Sequence, residues 1–150
     1  MKIEKILFVD DCEDNVELFV EIFRFAKLDV RGAPGGSAAL TMLNDFKPDL
    51  VFVDLEMADV DGFAVADAVR NRADSDEIVL VAVSGWSQEK WIERARLAGF
   101  CSYLVKPMDI KILLSYLEKG IFFKMHELRG SVDIDILNVT LSMESYHADA

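Results

Sequence analysis

Along this chain, short unbroken apolar runs alternate with stretches whose apolar residues recur at helical spacing. "ILFV" (6–9), "DVRGA" (29–33), "LVFV" (50–53), "EIVLVAV" (77–83) and "CSYLV" (101–105) read as strands. Between the first two, residues 14–28 place apolar side chains at 16, 19, 20, 22, 23 and 26, one face of a helix. Residues 37–46, 63–72, 87–99 and 109–120 read as four further helices. Local chemistry marks their ends. Asp14 with Glu17 fits a capping box. Gly62 introduces the third helix, and Ser87 and Asp109 N-cap the fourth and fifth. Gly99 and Gly120 stop those two. "PGG" (34–36) is a turn, and Pro48 ends the second helix.

Five strand–helix units fit within residues 1–120. Strands apolar along their whole length are buried on both faces, which requires a parallel sheet covered by helices. Crossovers in such sheets are right-handed. The predicted fold is α/β, a flavodoxin-like doubly wound (βα)5 with a five-stranded parallel sheet in the order 2-1-3-4-5. Residues 121–150 form a short C-terminal extension. Within it, 121–128 continues helical up to Gly130, and "VDIDI" (132–136) alternates like a half-buried strand. Below roughly 40 residues a segment rarely folds alone, so no separate output domain is expected there. Three fates stay open for the tail: packing back on the domain, mediating a homodimer, or starting a linker.

Composition narrows the picture. A chain of 150 residues, 52% hydrophobic, has material for one domain with a real core. Its net charge of −11 repels nucleic acid phosphates and anionic membranes, and there is no run of Lys or Arg, so no direct nucleic-acid contact is expected. The longest apolar run, "IVLVAV" (78–83), falls far short of the roughly 18 residues of a membrane helix. The N-terminus is no secretory signal, since only four apolar residues precede two aspartates. Cys12 and Cys101 sit in no C-x-x-C motif and read as small apolar fillers at opposite edges of the sheet. A cytoplasmic protein is expected.

The candidate chemistry lies where the strands end. In a parallel sheet the carboxyl ends share one edge, and ligands bind outside it. Strand 1 ends in Asp10-Asp11, strand 3 in Asp54, strand 4 in Ser84 and strand 5 in Lys106-Pro107. Three carboxylates this close cannot all stay ionised without counter-charge. Lys106 supplies one positive charge. A hard, oxygen-seeking cation such as Mg2+ suits the remainder. Such a site recruits phosphate, with Asp54 as the nucleophile of an acyl phosphate and Ser84 as a hydrogen-bond donor to it. Taken singly, each residue has a plainer role. Asp10 and Asp11 could cap a helix, Asp54 could be a loop acid, and Lys106 a solvated lysine. Ser84 could be a turn residue and Tyr103 half-buried core. Gly35-Gly36 reads as a turn rather than a phosphate cradle. It is the set, at four strand ends, that points to chemistry.

Four stretches, "ILFVDD", "PDLVFVDLEMADVDG", "VAVSG" and "AGFCSYLVKP", in this order and spacing, resemble the receiver domain of bacterial two-component response regulators. The resemblance covers about residues 4 to 120. It implies that a histidine kinase or a histidine phosphotransfer protein donates a phosphoryl group to Asp54. It implies that Asp10 and Asp11 hold Mg2+, Asp11 more directly, with the backbone carbonyl of Glu56 completing the shell. Lys106 would pair with the phosphoryl group, and the Lys106-Pro107 bond would be cis. Ser84 would be the switch hydroxyl and Tyr103 the aromatic that swings inward with it. The face of helix 4, strand 5 and helix 5 would then bind a downstream protein. Such a chain is a signalling phosphoacceptor, not an enzyme beyond its own phosphorylation and dephosphorylation.

Ala58 stands where the family usually has proline, which predicts a less rigid loop. Glu56 and Trp86, two residues past Asp54 and Ser84, flank the phosphoryl position and are expected to modulate phosphate lifetime. Two other readings compete. Haloacid-dehalogenase-like phosphatases also use an Asp nucleophile with Mg2+, Ser/Thr and Lys. Their nucleophile comes first in the chain and their acidic pair last, the reverse of the order here. A receiver-like interaction module that is never phosphorylated would have no need of the intact Asp10, Asp11, Asp54, Ser84 and Lys106.

Overall fold

A computed structural model of the chain describes residues 2–129. Five strands, β1 (Lys5–Val9), β2 (Asp29–Ala33), β3 (Leu50–Asp54), β4 (Val79–Ser84) and β5 (Ser102–Val105), form one sheet. All neighbours pair in parallel, in the order β2-β1-β3-β4-β5, as the sequence predicts. The helices are α1 (Glu13–Phe25), α2 (Gly36–Met42), α3 (Gly62–Arg70), α4 (Glu89–Leu97), α5 (Ile110–Lys119) and α6 (Ile121–Leu128), with a 3-10 turn at Ser75–Glu77. The expected strand at 132–136 lies outside the described residues. Among those residues, no helix is long and apolar enough to cross a membrane.

Every residue of β3 and β4 is buried, which explains their unbroken apolar runs. One face of the sheet carries an aromatic core. Phe8 stacks on Phe19 of α1 at 4.6 Å between ring centroids, and Phe23 stacks on Phe52 of β3 at 5.8 Å. Phe122 of α6 meets Phe52 edge-on at 5.6 Å and Tyr116 of α5 at 6.1 Å. These offset and edge-to-face geometries suit the ring quadrupoles, and they tie α1, α5 and α6 to the central strands.

Several helix ends differ from expectation. Helix α1 begins at Glu13 with Cys12 as N-cap, and no side chain caps it. The Asp10 carboxylate accepts the Cys12 amide at 2.9 Å, so the chain turns into the helix before the Asp14/Glu17 box can act. Cys12 is therefore exposed and not the apolar filler expected, whereas Cys101 is buried. Helix α4 takes Gln88, not Ser87, as its cap. The backbone just before it is committed elsewhere: Trp86 N–H donates to the Ser84 hydroxyl, and the Trp86 carbonyl accepts from Tyr103. Helix α2 stops at Met42 instead of running to 46, because Asn44 and Asp45 close three-residue turns onto Thr41 and Met42. Asp109 does cap α5, accepting from Lys111 and Ile112.

Gly120 ends α5 in the left-handed region at φ +69°, where a glycine carries no Cβ penalty. The chain thus breaks direction and starts a new helix instead of continuing the old one. Helix α6 packs back against β4 and β5.

Candidate functional site

The register brings the strand ends level. Val9 pairs with Val53, Asp54 with Val83, and Ser84 with Val105. Asp10 and Lys106, one residue beyond β1 and β5, therefore share an edge with Asp54 and Ser84, the last residues of β3 and β4. Asp10 and Asp54 are each 2% exposed, while Asp11 is exposed. The Lys106 ammonium donates to Asp54 Oδ2 at 3.0 Å and lies 3.4 Å from Asp10 Oδ2. It crosses the edge from the end of β5 to the ends of β3 and β1. The Lys106-Pro107 bond is cis.

Each carboxylate is also held by the backbone. Asp54 Oδ1 accepts from the Glu56 amide at 2.9 Å, and Asp10 Oδ1 from the Cys12 amide. Asp10 Oδ2 also accepts from the Asn15 side chain at 3.4 Å. Asp11 Oδ2 accepts from the Ala58 amide at 3.3 Å. One oxygen from each of Asp10, Asp11 and Asp54 lies within 4.8 Å of the others. An all-oxygen, triply acidic donor set facing one ammonium fits a hard divalent cation.

The electrostatics agree with that surplus of negative charge. Burial raises the Asp54 pKa above the ordinary carboxylate value, and nearby Asp10 adds to the rise. The Glu56 amide and Lys106 offset it in part. Burial pulls Lys106 down, but its bond to Asp54 and the charges of Asp54 and Asp10 outweigh this and hold its pKa above the usual value.

Ser84 is fully buried. Its hydroxyl lies 3.2 Å from Glu56 Oε2 and accepts from the Trp86 amide at 2.9 Å. Tyr103, expected to be half-buried, is wholly inside the core, and its hydroxyl donates to the Trp86 carbonyl. Trp86 stacks on Trp91 of α4 at 4.2 Å, and the Arg94 guanidinium sits over Phe63 at 4.0 Å. Glu56, Trp86, Trp91 and Arg94 line one small open cleft of about 270 Å³.

The β3–α3 loop is anchored despite lacking the usual proline. Asp59 accepts from the Gly36 and Ser37 amides at the start of α2, at 3.3 and 3.1 Å. Hydrogen bonds from Val60 and Ser37 hold its carboxyl down to about 2. Ala58 keeps the N–H that a proline would lack, and that N–H meets Asp11. At the start of α3, a Cβ on Gly62 would lie 2.5 Å from the Asp54 carbonyl, so only glycine lets this helix approach the site so closely. Asp61 caps the same helix through Ala64.

All eight residues singled out in the sequence thus meet at or beside one edge. Asp10, Asp11, Asp54 and Lys106 form the charged centre, with Glu56 and Ser84 beside it. Trp86 and Tyr103 join through the Ser84 hydrogen bonds. Sequence reasoning missed Asp59, Asn15 and the Gly85 amide. Asp61 had a local signal, a capping residue directly before a helical glycine, but Asp59 acts across 23 positions and had none.

Known proteins share this fold. The family "Response regulator receiver domain" matches residues 6–118. The chain is 28% identical over 140 residues to the heme response regulator HssR of Staphylococcus aureus (strain Newman), covering 93% of this chain and 60% of that protein. It thus spans less than two thirds of that relative's length. In structure it is similar to the chemotaxis protein CheY4 of Vibrio cholerae, with a TM-score of 0.73 and 23% identity over 78% of this chain and 98% of the other. It is also similar to the response regulator TrrA of Thermotoga maritima in complex with Mg2+-BeF, with a TM-score of 0.66 and 26% identity over 77% of this chain and 97% of that one. Receiver domains are signalling modules that work with histidine kinases and downstream effectors. By its sheet order, its acidic edge and this match, the chain belongs to the response regulator receiver domain family.

Proposed function

We propose that this chain is a phosphoacceptor that takes a phosphoryl group onto Asp54 from a phosphohistidine of a kinase or phosphotransfer protein, with Mg2+. The observation that carries the reading is the buried Asp54 carboxylate bonded to Lys106 beside Asp10 and Asp11. One Asp54 oxygen forms the new O–P bond while the P–N bond of the donor breaks, and the imidazole leaves with the electron pair. Asp10, Asp11, Asp54 and the Glu56 carbonyl would hold Mg2+, whose charge offsets the carboxylates and the incoming phosphoryl oxygens. Lys106 keeps its ammonium on the transferred group. Ser84 takes a phosphoryl oxygen, and the Trp86–Tyr103 link carries the change to the α4–β5–α5 face, where a downstream protein binds.

The receiver unit is residues 1–120, with 121–150 as its extension. Glu56 and Trp86 line the cleft beside Ser84, and we assign them control of phosphate lifetime. An acyl phosphate that hydrolyses faster in Trp86→Ala than in wild type is the expected result, and an equal or longer half-life would remove Trp86 from that role.

Incubation with acetyl phosphate and Mg2+ tests the main reading. Wild type acquires an acid-labile phosphate that retards it on a phosphate-affinity gel, and Asp54→Asn does not. Labelling retained in Asp54→Asn would refute the assignment. No labelling of wild type, together with no Mg2+-dependent binding of beryllium fluoride, would favour an interaction module that is never phosphorylated.

A further inference from the structure

Glu56 has a second, separate role written in its side chain. Its Oε2 accepts the Gly85 amide at 2.7 Å and lies 3.2 Å from the Ser84 hydroxyl. A carboxylate oxygen that gathers a backbone amide and a neighbouring hydroxyl at once is held as an external anion would be. The short amide bond is charge-assisted, the stronger class of hydrogen bond. Both donors stand at the carboxyl end of β4, beside the Asp54 pocket. The Ser84 hydroxyl in turn accepts from Trp86, whose carbonyl accepts from the buried Tyr103. A continuous chain of hydrogen bonds therefore runs from Glu56 through Ser84 and Trp86 to Tyr103.

We propose that the Glu56 carboxylate is an internal ligand of this edge: in the unmodified domain it occupies the Ser84–Gly85 donor pair that phosphoryl oxygens on Asp54 would otherwise take. This rests on the phosphoacceptor reading and deepens it. Each donor has one proton to give, so carboxylate and phosphoryl cannot both be served. A phosphoryl group carries negative charge and repels the carboxylate as it arrives. Modification is then an exchange of ligands and not the filling of an empty site. Glu56 is a positioning residue in this scheme, acting through Ser84 and Gly85. Two consequences are measurable. The phosphoryl state is disfavoured by the bonds it must displace. The Ser84–Trp86–Tyr103 chain is already assembled before modification.

The test uses Mg2+ with beryllium fluoride as the phosphoryl mimic, titrated into wild type, Glu56→Ala and Glu56→Gln, and followed by tryptophan fluorescence. The two tryptophans, Trp86 and Trp91, stack on each other beside the switch, so the signal is local. Glu56→Ala is expected to bind the mimic about tenfold more tightly than wild type. Glu56→Gln keeps an acceptor oxygen and should fall between them. Before titration, Glu56→Ala should emit differently from wild type, and the spectra should converge once the mimic is bound. Equal affinity in wild type and Glu56→Ala, or weaker binding in the variant, would overturn the proposal. Tightening by the same factor in Gln and Ala, with unliganded spectra unchanged, would also overturn it, because that pattern needs only charge and no contact. Failure of all three proteins to bind the mimic would instead sink the phosphoacceptor reading, and this proposal with it.

Discussion

The two edges of the sheet treat buried polar groups in opposite ways. At the carboxyl edge three carboxylates face one ammonium, and Asp54 is held in a protonation balance shifted by burial. At the amino edge of β4 and β5, polar groups bond mainly to backbone carbonyls, and the two buried side-chain nitrogens without a partner among the described residues, Arg70 Nε and His126 Nδ1, lie here. Arg70 donates to the carbonyls of Ser75, Ile78 and Gly99 at 2.7, 3.2 and 3.1 Å. His126 Nε2 donates to the Asp76 carbonyl at 2.6 Å, and Arg129 bonds the Asp76 carboxylate at 2.9 Å. The Cys101 thiol rests against the Phe122 carbonyl, and burial pushes its pKa up to about 12, so it stays an inert thiol. Helix α6 closes this edge. Carboxylates gather at one edge, whereas at the other the Arg70 guanidinium is held by backbone carbonyls.

If that division holds, the closed edge can be weakened without touching the open one. Phe122 is 1% exposed and touches Phe52 and Tyr116, so Phe122→Ala should cost about 3–5 kcal/mol of stability. Urea unfolding would register this as a lower midpoint. The affinity for Mg2+ with beryllium fluoride, measured on the protein still folded, should stay within about twofold of wild type. A parallel loss of affinity would mean that the edges are coupled through Phe52.

The open edge makes the complementary prediction. Lys106→Ala leaves Asp10 and Asp54 facing each other with no cation. Breaking a fully buried pair costs about 3–5 kcal/mol. Here the lysine side chain is 31% exposed, so about 2 kcal/mol is expected. Added Mg2+ should recover most of that loss, because it replaces the missing charge. Thermal midpoints of wild type and variant with and without Mg2+ provide the comparison. A variant whose midpoint ignores Mg2+ would contradict the reading of the acidic cluster as a cation site.

The open edge was far more legible in the sequence than the closed one, for a physical reason. A strand buried on both faces must be apolar throughout, so "LVFVD" announces both β3 and the residue that leaves it. The acidic edge is built from residues at or next to the ends of such runs, and parallel pairing then assembles them. What stayed hidden depends on contacts between distant positions. Glu56 reaches Ser84 and Gly85 across 28 and 29 positions, and Arg70 reaches Gly99 across 29. "IFF" at 121–123 reads as more helix, and only the tertiary fold says that Phe122 turns into the core. The cap at Asp14 misled for a related reason. Capping depends on where the backbone turns, and that turn belongs to Asp10.

The smallest effect should come from His126, which tests the unpartnered ring nitrogen of the closed edge. Its Nε2 carries the proton given to Asp76, so Nδ1 is a bare acceptor, buried and without a partner. Protonating Nδ1 would create a cation with nothing to bond to. It would face Arg70 from α3 and Arg129 beyond α6, with only Asp76 of opposite sign. Burial, then these two guanidiniums, lower its pKa below the ordinary 6.5 despite the Asp76 bond. The folded state therefore refuses a proton that the unfolded chain accepts below about that value. Unfolding takes up a proton there, so stability rises with pH and is lost as pH falls through this window. Asp54, with its raised pKa, contributes the opposite slope, so the test is a difference between variants. Between about pH 7.5 and about pH 5.5, wild type should lose up to about 1 kcal/mol more than His126→Gln. Denaturant midpoints at the two pH values would measure it. Parallel losses in the two proteins would mean that Nδ1 finds a partner on protonation, and that the closed edge also tolerates a change of charge.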